Sequence, residues 1–311
     1  MGSDFFSSGW SLFIAASTVL GLIACVLLLI IAARRRVMSQ PGGQDDNTTG
    51  HVWDEDLREL NNPLPRWWMG LFVITVVFSV LYLFFYPGLG SAAGSLKWTS
   101  TGQYDNEQAK ARAALEPLYA RFTAMDEKQL AADAQAMGIG ERLYLNNCAA
   151  CHGSDARGSK GFPNLTDSDW LWGGSLADIQ KTINEGRNGV MPAMAEAVGG
   201  GENVRNVAHY VLSLSGSPHD SVAAQLGRSK FGACAACHGA EGKGNTALGA
   251  PNLTDKVWLH GWGEPAVSAI ITAGKNNAMP AHASRLTPEQ VRVLAAYVWR
   301  FSNGTAKVAS N

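Results

Sequence analysis

Two long apolar runs stand at the head of this chain, and a repeated amphipathic pattern fills the remainder. Trp10 to Ala33 is continuously apolar and long enough to cross a bilayer. Asp4 precedes it and Arg34, Arg35 and Arg36 follow at once. A cleaved secretory signal carries its positive charge before the apolar run, so this order predicts a retained helix with its N-terminus outside. Trp67 to Tyr86 is a second such run, with Trp67-Trp68 at one end and Tyr82, Tyr86 and Pro87 at the other. Aromatic rings gather at membrane–water interfaces in this manner. Arg58 and Arg66 precede it. The five Arg of the connecting segment place residues 34–66 in the cytoplasm of a bacterial inner membrane and both termini in the periplasm.

The connecting segment divides in two. Ser39 to Thr49 is rich in Gly, Asp and Asn and predicts a flexible stretch. In His51 to Trp68, Asp54 is placed to cap a short helix running to Leu60, which Asn62-Pro63-Leu64-Pro65 would end. His51 is expected at the surface. After the second run, Gly88 to Gly102 predicts a linker. Asn106 to Met137, rich in Ala, Glu, Lys and Gln, predicts helix with a break or kink near Pro117.

The remainder is an internal repeat. Cys148-Ala149-Ala150-Cys151-His152-Gly153 returns as Cys234-Ala235-Ala236-Cys237-His238-Gly239. Pro163-Asn164-Leu165-Thr166-Asp167 returns as Pro251-Asn252-Leu253-Thr254-Asp255, and Trp170 returns as Trp258. Gly186 to Pro192 (GRNGVMP) returns as Gly274 to Pro280 (GKNNAMP), and Tyr210-Val211 as Tyr297-Val298. Each unit therefore reads helix, Cys motif, loop, short helix, Met loop, C-terminal helix.

Two thiols three residues apart can each add across a vinyl group of a haem, and the adjacent imidazole then ligates the iron; C-x-x-C-H is the c-type attachment signature. Zinc would use two C-x-x-C pairs without a His after each, and a thioredoxin-type pair needs a βαβ setting that the pattern lacks. The motifs thus predict two covalently bound haem c groups, on Cys148 and Cys151 and on Cys234 and Cys237, with His152 and His238 as proximal ligands. Met191 and Met279 are register mates, and Met279 is the one Met of the second unit. Their thioethers suit the sixth coordination position, with pairing in sequence order, His152 with Met191 and His238 with Met279. Met194 and its register mate His282 are the rival ligands. Pro163 and Pro251 are candidates to accept the free ring N–H of each proximal His through their carbonyls. Trp170, Trp172, Trp258 and Trp262 are candidates to wall the haems, with Nε1–H reaching propionates. Tyr210 and Tyr297 are expected to pack their C-terminal helices against N-terminal helices. His209, His219 and His260 have no repeat partner and are expected to be ordinary surface or satisfied residues.

The net charge of −1 gives no case for a nucleic-acid partner. Charged residues are only 16% of the chain, in keeping with membrane segments and buried cofactors. Four of the five Cys belong to the motifs, which leaves no disulfide framework, and Cys25 lies within the first apolar run. No acid–base pair, nucleophile or phosphate loop stands in register with either motif. Filled axial positions leave outer-sphere, one-electron transfer, carried by a chain that is not itself catalytic.

Paired C-x-x-C-H units followed by P-N-L and M-P resemble tandem class I cytochrome c domains. The stretch HVWDEDLRELNNPLPRWW, leading into a membrane helix, resembles more narrowly the third subunit of cbb3-type cytochrome c oxidases. That resemblance implies an all-α fold of two N-terminal transmembrane helices and two tandem class I cytochrome c domains. The expected segments are 1–36 (first helix and flanks), 37–66 (cytoplasmic connector), 67–87 (second helix), 88–136 (periplasmic linker and helical segment), 137–216 and 217–311 (the two cytochrome domains). It further implies electron entry from a soluble or membrane-bound cytochrome c, onward transfer to a monohaem subunit, and delivery to the oxygen-reducing catalytic subunit. A membrane-anchored dihaem carrier serving a dehydrogenase is the alternative. A haem sensor, which needs an open axial site, is a third.

Overall fold

A computed structural model of the chain describes residues 8–34, 48–60, 62 and 64–303. Arg35, Arg36, the Gly/Asp-rich residues 39–47, Asn61 and Pro63 lie outside them. The chain divides into two compact units, residues 1–114 and 115–311.

In the first unit, α1 (Ser8–Arg34) and α2 (Arg66–Phe85) match the two apolar runs. At 1.5 Å per residue they measure about 40 and 30 Å, enough for a hydrocarbon core. Apolar residues surround both helices, and none of their side chains is buried within the protein. A helix apolar all round needs an apolar surrounding, so both helices are candidate membrane spans. Residues after α2 fold back on its end: Ser95 N–H donates to Phe84 O (2.9 Å) and Leu96 N–H to Phe85 O (3.1 Å). Ser91 N–H donates to Ser11 Oγ of α1 at 2.7 Å. This part of the expected linker is thus an ordered turn.

The helix expected from Asp54 to Leu60 is not formed. Instead β1 (Thr48–Trp53) and β2 (Leu57–Leu60) pair as an antiparallel hairpin, with Trp53 opposite Leu57 and Val52 opposite Arg58. Asp54 (φ 51°) and Glu55 (φ 72°) turn it in the left-handed region. Two consecutive residues of that kind match the twist of a hairpin, and Asp is among the few that tolerate it. Thr49 Oγ1 donates to Glu59 Oε2 across the strands at 2.8 Å. Asp54 is therefore a turn residue and not a helix cap.

The chain continues as α3 (Ser100–Ala124), which runs through Pro117 without interruption. The break falls later, where two Asp side chains start new helices. Asp126 caps α4 (Glu127–Ala132) by accepting from Gln129 N–H at 2.8 Å, with the Gln129 side chain reaching back. Asp133 caps α5 (Ala134–Asn147) by accepting from Ala136 N–H at 2.8 Å. The second unit continues with α6 (Ala149–His152), α7 (Leu176–Glu185), β3 (Arg187–Met191), α8 (Gly201–Leu214), α9 (Ser221–Arg228), α10 (Gly232–His238), α11 (Glu264–Ala273), β4 (Lys275–Met279) and α12 (Pro288–Asn303).

Two hydrophobic cores form, and neither is built from one repeat. The first joins Tyr144 of α5, Ile179 and Ile183 of α7 and the region around Cys148 with Leu286 and Val291 to Val298, so α12 closes the first repeat. The second joins Val204 to Leu212 of α8 with Phe231, Cys234, Val267 and Ile271, so α8 closes the second. Tyr297 accordingly packs on Tyr144 (ring centroids 5.8 Å apart) and Tyr210 on Phe231 (5.1 Å). The sequence position 216/217 is therefore not a boundary between cores. The crossing point is β3 with β4, an antiparallel ribbon centred on Gly189 opposite Asn277. Its flanks repeat the same bond: His282 N–H donates to Ile183 O (2.9 Å) and Met194 N–H to Ile271 O (2.8 Å). Register mates exchange places across this centre, so the ribbon is a local twofold.

Candidate haem sites

Each Cys motif lies on a short helix that follows the N-terminal helix of its core. Cys148 ends α5 and Cys151 lies in α6, whereas Cys234 and Cys237 both lie in α10. One helical turn puts each pair of thiols on the same side as the following imidazole. Cys151 and Cys237 are exposed; Cys148 is half-buried and Cys234 buried. Burial, and then the neighbouring Cys151, push the free Cys148 thiol up to about 11. His152 and His238 are buried, at 8% and 7% exposure.

His152 Nδ1 lies 2.9 Å from Pro163 O, and His238 Nδ1 lies 3.0 Å from Pro251 O. A carbonyl can only accept, so Nδ1 carries the proton and the Nε2 lone pair faces away, available to a metal. The loops that present these carbonyls are built alike. Asn164 Oδ1 accepts from Thr166 N–H (2.9 Å) and Oγ1–H (2.8 Å). Asn252 Oδ1 does the same for Thr254, at 3.0 and 2.7 Å. Gly158 (φ 68°) and Gly244 (φ 81°) return their N–H groups to the carbonyls of His152 and His238, both at 2.8 Å. A Cβ on Gly158 would stand 2.6 Å from Pro163 O, so only glycine lets the loop approach. The bracing Asn and Gly residues were not singled out from sequence; their recurrence in both units was the signal that could have found them.

Trp258 Nε1 is buried with no hydrogen-bond partner among the described residues, as is Nδ1 of His282. An indole N–H needs an acceptor, and a haem propionate would supply one. The free imidazole Nε2 atoms and correctly spaced thiols fit haem c, and beside the second core the orphan donor adds to that fit. Trp170 is half-buried against the first core, with Gly174 against its ring. Trp172 lies against Gly249 and under Arg187, whose guanidinium is 5.0 Å from its ring, and Trp262 is exposed.

Met279 lies opposite Arg187, at the end of the ribbon where α7 leaves the first core. Met191 lies opposite Lys275, where α11 leaves the second. Met194 packs against the second core. His282 is buried at the first, and burial followed by Arg285 holds its pKa below the usual range. The unpaired His residues find local partners: His219 Nδ1 and Ser217 O (2.7 Å), His209 Nδ1 accepting from Asp220 N–H (3.2 Å), and His260 Nε2 beside Asn277 Nδ2 (2.9 Å). Asp169 is pushed up to about 6 by burial and then by the carboxylates of Asp255 and Asp167.

A C-x-x-C-H turn whose His is braced by a Pro carbonyl, and an N-terminal helix packed against a C-terminal one, mark a cytochrome c domain, and both features occur twice here. A family profile described as "Cytochrome C oxidase, cbb3-type, subunit III" matches residues 135–211 and again 224–298, and one described as "N-terminal domain of cytochrome oxidase-cbb3, FixP" matches 45–93. The cbb3-type cytochrome c oxidase subunit CcoP of Rubrivivax gelatinosus is 62% identical over 308 residues, 99% of each chain. The subunit FixP of Azorhizobium caulinodans is 41% identical over 276 residues, 83% of this chain and 94% of that one. The chain belongs to the family of cbb3-type cytochrome c oxidase subunit III.

Proposed function

We propose that this chain is the electron inlet of a cbb3-type terminal oxidase, binding two haem c groups and passing single electrons from a reduced cytochrome c donor to the monohaem and catalytic subunits. The observation that carries the reading is the doubled motif in which a buried His is braced by a Pro carbonyl with Nε2 left free. Bound haem supplies an iron that cycles between Fe(III) and Fe(II). The chain's own part is to fix that iron. Cys148, Cys151, Cys234 and Cys237 would tether the porphyrins, His152 and His238 would ligate the iron through Nε2, and Met191 and Met279 would supply thioether ligands. A soft thioether favours Fe(II) and raises the potential, and a filled sixth position denies oxygen a site. Pro163 and Pro251 fix the His tautomer, and Trp170 and Trp258 would border the porphyrins.

The membrane runs carry no His, so they offer no imidazole to a haem or copper within the bilayer. Their role is anchorage, with both termini and the haem units periplasmic and residues 34–66 cytoplasmic, as the Arg distribution requires. Membership of the oxidase subunit family favours this role over a carrier serving a dehydrogenase. The test is haem content: chain denatured and extracted with acidified acetone is expected to retain two haem equivalents, and retention of one or none refutes the reading. The same purified chain is expected to accept electrons from a reduced small cytochrome c and to consume no oxygen.

A further inference from the structure

We propose that Trp172 of the first repeat is a positioning residue for the second haem, because it holds the loop whose Pro251 carbonyl braces His238. The proposal rests on the dihaem reading above.

Trp172 is half-buried yet belongs to neither core, whereas Trp170 packs on the first and Trp258 on the second. Its indole stands against Gly249 of the second repeat, where a Cβ would overlap Cε2 and Cζ2 and meet Cη2 at 2.8 Å. Gly249 (φ 66°) lies two residues before Pro251. The loop that joins them is closed on itself: Asn245 N–H donates to Ala250 O at 2.9 Å and Ala250 N–H to Asn245 O at 3.0 Å. A Cβ on Gly244 would stand 2.7 Å from Asn252 N, so the two ends of the loop touch as well. A displacement of Gly249 is therefore passed to the Pro251 carbonyl, which lies 3.0 Å from His238 Nδ1. Trp172 is itself fixed from the first repeat. The Arg187 guanidinium is 5.0 Å from its ring, and Arg187 Nε–H donates to Thr182 Oγ1 at 2.8 Å. A Cβ on Gly189, at the centre of the ribbon, would touch Cζ2 at 4.0 Å.

The reciprocal contact is of another kind. Gly161 is the register mate of Gly249, and its N–H donates to Leu259 O, the mate of Leu171, at 2.8 Å. The loop bracing His152 is thus tied to the second repeat by backbone, and no change at Trp172 removes that bond. The mate of Trp172 is His260, which lies beside Asn277 instead. Dependence on the indole therefore falls on one haem. A carbonyl that accepts from Nδ1–H raises the basicity of the imidazole, which favours Fe(III), so a loosened brace raises the potential.

The test uses the full-length chain in detergent, with haem content read first. Trp172→Ala is expected to raise the midpoint potential of the haem at His238 and to leave that at His152 in place. The two waves are assigned in chains that keep one motif, made by Cys148→Ser with Cys151→Ser or by Cys234→Ser with Cys237→Ser. In the ferrous dihaem chain with labelled His, the Nδ1–H of His238 is expected to exchange faster with solvent while that of His152 does not change. Trp172→Phe keeps a ring beside Arg187 and recovers part of both effects. Gly249→Ala presses on the same contact from the second repeat and is expected to give the same pattern, which keeps the idea testable if Trp172→Ala does not fold. An unmoved second potential, a shift at His152 alone, or an equal shift of both haems refutes the positioning role and leaves Trp172 as ordinary packing. Fewer than two haems on the unsubstituted chain refutes instead the dihaem reading on which the proposal stands.

Discussion

Gly140 is where the exchange of C-terminal helices is most exposed to attack. It lies where α5 meets α12, and a Cβ placed on it would stand 2.6 Å from Tyr297 Cβ, 3.1 Å from Tyr297 Cγ and 3.3 Å from Val293 O. Tyr297 has no room to yield, since its ring is held by Phe301 (centroids 4.9 Å apart) and Tyr144 (5.8 Å). Overpacking of this kind costs about 1–3 kcal/mol. Alanine in a helix interior recovers about 0.5–1 kcal/mol over glycine. From the middle of each range, Gly140→Ala is expected to destabilise the first core by about 1 kcal/mol. At about 1.4 kcal/mol per tenfold, amide exchange there speeds up by roughly 5-fold. Hydrogen exchange read by mass spectrometry is expected to show the loss in α5 and α12, with α8 and α9 unchanged. Deprotection of α8 together with α5, α12 staying protected, is the pattern of a chain in which each repeat keeps its own C-terminal helix, and it refutes the exchange.

Trp258→Phe removes a buried donor that has no acceptor among the described residues; a propionate left without it makes oxidised iron easier to hold, so the second haem's potential falls and the first stays, as redox titration checks. Asp169, pushed up to about 6, is harder to ionise folded than unfolded. Stability contributed by its protonated form is therefore lost as pH rises from about 4 through about 6; Asp169→Asn flattens that part of the denaturant-midpoint profile, and an unchanged slope removes Asp169 as its source. Glu55→Cys, in the exposed turn of the hairpin, is expected to resist a membrane-impermeant thiol reagent in cells with permeable outer membranes, and labelling inverts the topology.

The pattern of residues made the chemistry more legible than the architecture. C-x-x-C-H, P-N-L and M-P are local: each brings its atoms together within a turn or a loop, so spacing along the chain suffices to propose them. The apolar runs were equally legible, because a helix apolar on every side has few other settings. Asp54 misled because Asp serves both as a helix cap and as a left-handed turn residue, and the choice depended on strand pairing between Val52 and Arg58 that no local rule contains. Pro117 does not break α3, because its penalty is local and the helix is continued by the residues on both sides of it. The exchange of α8 and α12 was illegible for a different reason. The register that reveals the repeat makes the two C-terminal helices interchangeable, and a family profile matched in sequence order is blind to which helix closes which core.

That interchangeability is also why the exchange is physically accessible. Two cores built from the same pattern offer nearly the same groove, so a C-terminal helix gains about the same burial in either. Within one chain the partner is always near, and the entropy of bringing it in grows only slowly with the length of the intervening loop. What tips the balance must lie where the two arrangements differ, and the ribbon of GRNGVMP against GKNNAMP is such a place. In that ribbon Gly186 and Gly274 each leave room for the other repeat's Met–Pro backbone, which no residue with a Cβ would allow without a shift. The consequence reaches beyond packing. Each core draws its closing helix from the other repeat, so neither repeat holds a complete core by itself. Deleting α12 then strips the first Cys motif of its cover while leaving the second core whole, although it is the second repeat that has been shortened.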